Sequence, residues 1–154
     1  MAQVSKLGRI WIDAQERMLG RLDRVRFRKR TTAPHLLTGL LGERAALFEL
    51  RRRGITVVAR RWATPKLRGD VDLIGWDGDR LCFIEVKTRT ARDITPAEVA
   101  VDDAKRDTLR SLARAYLHTF PERERTTIPV RFDVVSVYAL EGKTDFQIFP
   151  GAFS

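Results

Sequence analysis

Two short apolar runs on either side of an Asp-Gly-Asp triplet constrain this chain more than any other feature. Residues 71–76 (Val-Asp-Leu-Ile-Gly-Trp) and 81–88 (Leu-Cys-Phe-Ile-Glu-Val-Lys-Thr) are built from strand-forming residues, and Asp77-Gly78-Asp79 supplies turn chemistry between them. A β-hairpin is predicted. Both runs are apolar at nearly every position, the pattern of strands covered on both faces. Asp72, Glu85 and Lys87 nevertheless interrupt them. Unpaired buried charge is costly, so carboxylates there should be paired or bound to metal, and one lysine can balance only part of their charge.

Strand geometry ties the three together. Glu85 and Lys87 are two apart and must project from one face. If the turn is Gly78-Asp79, Asp72 lies directly opposite Glu85, with Cβ atoms roughly 4.5 to 5.5 Å apart. If it is Asp77-Gly78, Asp70 faces Glu85 and Asp72 is diagonal. A three-residue loop would put Asp72 and Glu85 on opposite faces.

Around this hairpin the chain alternates helix and strand. Leu7, Trp11, Ala14, Met18, Leu22 and Val25 recur at steps of three or four, predicting an amphipathic helix that ends in the basic run Arg26 to Arg30, with Thr31 to Pro34 as a breaker. A second helix is predicted from about Thr38 to Arg53, stopped by Gly54, and a strand from Ile55 to Trp62. After the hairpin, Thr95-Pro96-Ala97-Glu98 fits a capping box, and Leu109, Leu112, Ala113, Tyr116, Leu117 and Phe120 form an apolar stripe. Pro121 and a polar run precede a strand at Val130 to Leu140 and an edge strand at Asp145 to Phe149, after a Glu141-Gly142 turn. The order is α-β-β-β-α-β-β with an extra N-terminal helix: an α+β chain with a mixed sheet flanked by helices.

At 154 residues the chain suits one ordinary core. Its 29 Lys and Arg exceed 20 Asp and Glu by nine, favouring an anionic partner, with nucleic acid first. Nine of those bases and only three acids lie in residues 1–38, so this basic stretch is read as an N-terminal extension and 39–154 as the domain. The lone cysteine, Cys82, sits in a strand read as buried, which leaves no internal disulfide and no thiolate metal site. With no signal-peptide or membrane-span pattern, a soluble cytoplasmic protein with no membrane partner is expected.

Glu43 occupies the inward stripe Leu36, Leu40, Glu43, Leu47, Leu50, where spacing calls for an apolar residue, so it joins the candidate set. Converging carboxylates in a chain with one Cys and two His favour a hard, oxygen-ligated ion, Mg²⁺ or Mn²⁺. His35 and His118 are read as ordinary residues. Arg68, Arg89 and Lys105 are candidate phosphate contacts, and Asp70 a supporting acid. Arg131 and Asp133 are read as an internal salt bridge, Trp76 as core, and Trp11 and Trp62 as either core or base-stacking groups.

The spacing Asp72-x12-Glu85-x-Lys87, after a helix carrying Glu43, resembles the PD-(D/E)XK nuclease superfamily, whose fold is restriction-endonuclease-like. Within it, Gly42-Glu43, Gly69 to Ile74, Phe83 to Arg89, Lys105 and Arg131 to Val134 resemble the YraN-like bacterial family. Val71 stands in place of the proline of the motif's name, and Asp70 where Glu is commoner in that family. The resemblance implies metal ligation by Asp72 and Glu85, assistance of the attacking water by Lys87, and Glu43 as a further ligand or supporting acid. It implies an endonuclease-like phosphodiesterase acting on DNA, branched or single-stranded, with RNA a further substrate class. Two neighbouring carboxylates favour the ammonium form, so Lys87 is expected to orient water as a charged group. The competing expectations are a nucleic-acid-binding module with absent or partner-gated cleavage, and an interaction scaffold. In the latter, residues 1–30 serve a homodimer or a protein partner.

Overall fold

The computed structural model describes residues 4–27, 34–89, 101–140 and 143–154. The elements run α1 (Lys6–Phe27), α2 (Pro34–Arg52), β1 (Thr56–Trp62), β2 (Val71–Asp77), β3 (Arg80–Arg89), α3 (Asp103–Leu117), α4 (Glu122–Arg125), β4 (Val130–Leu140) and β5 (Lys143–Phe153). The strands form one sheet in the order β1-β2-β3-β4-β5, in which only β3 and β4 are parallel. A parallel neighbour requires a crossover, and the segment carrying α3 and α4 makes it. The expected mixed sheet flanked by helices is therefore present, with α1 as the additional N-terminal helix.

Alternation along the strands divides the core into two layers. On one side Leu73, Cys82, Ile84, Val135 and Val137 pack with Ala46, Leu47, Phe48 and Leu50 of α2. On the other, Ile74, Leu81, Phe83 and Val134 meet Leu109, Leu112 and Ala113 of α3. Phe48 and Phe83 are fully buried, each worth roughly 1.5–3 kcal/mol by removal of apolar surface from water. Trp62 packs edge-on against Tyr116 at 5.1 Å and Trp76 against Phe120 at 6.2 Å. Both belong to this second layer, which answers the question left open for Trp62.

Several boundaries differ from the sequence-based expectation. Helix α2 starts at Pro34, in the segment read as a breaker, because proline's fixed φ and missing N–H are harmless at a first helical position. Its end is as expected. Gly54 has φ +91°, with Gly54 N–H donating to Arg51 O and Ile55 N–H to Leu50 O, the paired bonds of a Schellman stop. Strand β5 reaches Phe153, and Pro150 is tolerated there because the strand is an edge. A single turn, α4, forms in the polar run after Pro121. The Thr95–Glu98 capping box, the Glu141-Gly142 turn and residues 28–33 lie outside the described residues, as does the His35 side chain.

Helix α1 lies on the domain with its apolar stripe turned outward. Ile12 and Leu19 pack against the α2 layer, Asp13 and Glu16 pair with Arg52, and Gln15 accepts from Arg51 at 3.0 Å. The apolar stripe read from the sequence points the other way: Leu7, Trp11, Met18 and Leu22 are exposed. The charged contacts sit on the opposite side of the helix from that stripe. No helix among the described residues is long and apolar enough to cross a membrane.

Candidate active site

Three local features bring the site together. Gly78, at φ +64°, occupies the first central position of a two-residue turn, where a hairpin accepts glycine readily. Asp77 then pairs with Arg80, and the ladder runs to Leu73 opposite Ile84. Continuing that register sets Asp72 opposite Glu85, the first of the alternatives read from the sequence. Gly42 lets α2 lie directly on β3, since a Cβ there would stand 1.8 Å from Thr88 Oγ1. Asp102 caps α3 by accepting from the Lys105 amide at 2.8 Å, which fixes where Lys105 starts.

Glu85 is the centre. It is only 4% exposed, and its oxygens are shared between two ammonium groups: Lys87 Nζ is 3.0 Å from Oε1, and Lys105 Nζ is 3.0 Å from Oε2. Asp72 Oδ2 accepts from the Val86 amide at 2.7 Å. Burial, followed by the charge on Glu85, pushes the Asp72 carboxyl up to about 7, although the Val86 amide and the Lys105 charge oppose this. Burial likewise raises Glu43, with Asp70 and Glu85 adding to the effect and Arg61 opposing it. For Lys105, burial acts to lower the pKa, but Glu85, Asp72 and Asp70 together outweigh it and the net shift is upward.

Glu43, Asp72 and Glu85 line one cleft of ≈ 390 Å³ with Thr38, Gly39, Val86 and Thr88. The structure thus brings together Glu43, Asp72, Glu85 and Lys87, and adds Lys105 as a direct partner of Glu85. Asp70 lies beside them, 3.5 Å from Arg61 Nε. Arg89 ends β3 opposite Tyr138, and Arg68 is exposed on the loop leading to Asp70.

Arg61 is the member that sequence reasoning missed. It lies between the β1–β2 pairs Arg60–Leu73 and Trp62–Val71, hence across from Asp72, and its φ of +46° is left-handed. That conformation costs a residue with a side chain about 1–2 kcal/mol. Its Nε is 3.9 Å from Glu43 Oε2. The only sequence signal was the Arg60-Arg61 pair, which breaks the alternation of an otherwise apolar strand.

Other charged groups are structural. Arg131 holds Asp133 through two bonds of 2.7 and 2.9 Å and reaches Asp77 at 2.9 Å, the internal bridge expected. Cys82 is buried and its thiol is pushed up to about 12, again chiefly by burial, so it is unreactive. His118 Nδ1 lies 2.8 Å from Arg125 Nη1, away from the cleft.

The side chains lining the cleft offer only oxygen donors, from three carboxylates and two threonine hydroxyls, which suit a hard divalent ion. Among the described residues no three His, Cys, Asp or Glu groups already stand in a ligating arrangement. The lysines account for this in part, because both Glu85 oxygens face ammonium groups. Glu43 Oε2 and Glu85 Oε2, however, are buried, and among the described residues neither has a hydrogen bond. A buried acceptor left in that state calls for a cation, so the residues fit the group.

Sheet and cleft together define an α+β protein with a lysine-braced carboxylate centre at the end of an antiparallel hairpin. The chain belongs to the family described as Uncharacterised protein family UPF0102, whose model matches residues 42–137. It is 51% identical over 119 residues to a UPF0102 protein of Koribacter versatilis, covering 77% of this chain and 80% of the relative. It is 44% identical over 131 residues to one of Solibacter usitatus, covering 85% and 93%. The YraN-like family expected from the motif blocks is thereby found. The matched span holds Glu43, Asp72, Glu85, Lys87 and Lys105, and α1 lies outside it.

Proposed function

We propose that this chain is a metal-dependent, endonuclease-like phosphodiesterase of the PD-(D/E)XK type, acting on DNA and in particular on branched or repair and recombination intermediates. The observation that carries this reading is the convergence of Glu43, Asp72, Glu85 and Lys87 on one cleft from two strands and a helix. Asp72, Glu85 and Glu43 supply the oxygen ligands for Mg²⁺ or Mn²⁺. Such an ion, when bound, acidifies a water and polarises the scissile phosphate. Lys87 orients the attacking water and offsets charge developing on the phosphoryl oxygens. Arg68 and Arg89 hold the backbone without reading bases.

The test is a panel of linear, flapped and four-way DNA incubated with Mg²⁺ or Mn²⁺, comparing wild type with Asp72→Ala. Cleavage that disappears in the variant supports the reading. No cleavage of any substrate, or cleavage that survives Asp72→Ala, rejects it. One observation favours a second reading, a binding module whose cleavage is gated by a partner: both Glu85 oxygens are already matched by lysines. Salt-sensitive DNA binding without cutting would select it.

A further inference from the structure

Glu85 carries two ammonium partners that differ in kind. Lys87 is its own strand neighbour and takes Oε1 from the same face. Lys105 comes from α3, the helix packed on that same face of the sheet, and takes Oε2. Its ammonium therefore sits on a buried oxygen of a candidate metal ligand. That is the place a shared divalent ion would take.

The Lys105 backbone is fixed by the helix cap, and its side chain is partly open to solvent. Its amide is tied to Asp102, while 28% of the side chain remains open to solvent. A four-carbon chain pivoting at a fixed helix start can carry its ammonium out of the carboxylate group without moving α3.

We propose that Lys105 is the resident counter-ion of the cleft, holding Glu85 in the ion-free protein and passing to a backbone phosphate when a divalent cation takes its place. The proposal rests on the nuclease reading above, and it assigns Lys105 a role in coupling two binding events. Cation entry frees the phosphate contact, and a bound phosphate keeps Lys105 away from Glu85. Each ligand therefore strengthens the other, as linkage requires. Lys105 is a positioning residue here, exchanging partners around the chemistry.

The experiment measures Mn²⁺ binding by calorimetry to full-length, metal-free wild type, Lys105→Met and Lys105→Arg, without nucleic acid. Removing the competing ammonium should tighten Mn²⁺ about tenfold or more in Lys105→Met, and Lys105→Arg should stay near wild type. In parallel, fluorescence anisotropy of a labelled duplex is read in EDTA and in Ca²⁺. Wild type should bind DNA more tightly with Ca²⁺, whereas Lys105→Met should lose much of that gain. Equal or weaker Mn²⁺ binding by Lys105→Met overturns the proposal and leaves the nuclease reading standing. Absence of Mn²⁺ binding by all three proteins overturns both. Circular dichroism melts confirm that each variant is folded, and Lys105→Arg keeps the comparison decisive if Lys105→Met is unstable.

Discussion

Gly42 of α2 and Thr88 of β3 are in contact so close that a single added methyl group at residue 42 would fall 1.8 Å from the threonine hydroxyl. Glu43 follows immediately, so this contact sets how near its carboxylate comes to Asp72 and Glu85. Gly42→Ala should cost about 1–3 kcal/mol through overpacking and weaken Mn²⁺ binding by moving Glu43. Adding Thr88→Ala should return part of the stability. Urea denaturation of the two single variants and the double variant measures the coupling, and strictly additive effects would show that the residues do not clash.

Asp72 makes the fold sensitive to pH in a defined direction. Its carboxyl, raised to about 7, holds a proton that the unfolded chain releases near pH 4. The stability from that proton is fully present below about pH 4 and is lost as pH rises through about 7. Asp72→Asn removes the dependence while keeping an acceptor for the Val86 amide. In EDTA the variant should therefore gain on wild type between pH 4 and pH 8. Urea midpoints at the two pH values test this, and a constant difference would contradict it.

Lys87→Gln should lower the rate of phosphodiester cleavage by about 10²–10³, the usual effect of losing one stabilising donor. Thermal stability should change little, because Lys105 still faces Glu85. Single-turnover kinetics on a substrate from the cleavage panel would measure the loss. Wild-type rates in the variant would remove Lys87 from the chemistry.

Arg131→Met should be severely destabilising, by about 3–5 kcal/mol, since it strands the fully buried Asp133 carboxylate. Asp133 would retain the Gly151 amide, which donates to it at 2.9 Å, but no cationic partner among the described residues. Combining Arg131→Met with Asp133→Val should recover much of the loss. Denaturation curves for the single and double variants decide the matter.

Arg52→Met should loosen α1 alone. Asp13 and Glu16 both pair with that guanidinium, and Ile12 and Leu19 provide the main apolar contact left. Hydrogen exchange in residues 6–27 should accelerate about tenfold or more while β2 and β3 stay protected. Unchanged protection of α1 would mean that packing, not charge, holds it.

What could be read from the sequence depended on how local the information was. Glu43 was visible because it broke an apolar stripe. Hairpin parity limited Asp72 and Glu85 to a few arrangements, and the left-handed Gly78 selects one of them. Lys105 was recognisable as a basic residue near a helix start, but its pairing with Glu85 depends on where α3 lies over the sheet. Arg61 was illegible for a related reason, since its left-handed backbone arises within the β1–β2 pairing and no residue type announces it. Which face of α1 meets the domain was not legible, since its charged contacts run to Arg52, some forty positions away.

The parallel pairing of β3 with β4 bears on the order of assembly. The β1–β2–β3 meander and the β4–β5 ribbon are closed by short connections, but joining them requires residues 90–129 to be spanned first. Long-range closure is the slow step in building a sheet. Asp72 and Glu85 can meet early, as parts of one hairpin, whereas Lys105 reaches them only once the crossover helix has docked. A half-made molecule thus presents its carboxylates with Lys87 alone beside them, and maturation of the chain itself supplies the second cation that braces them.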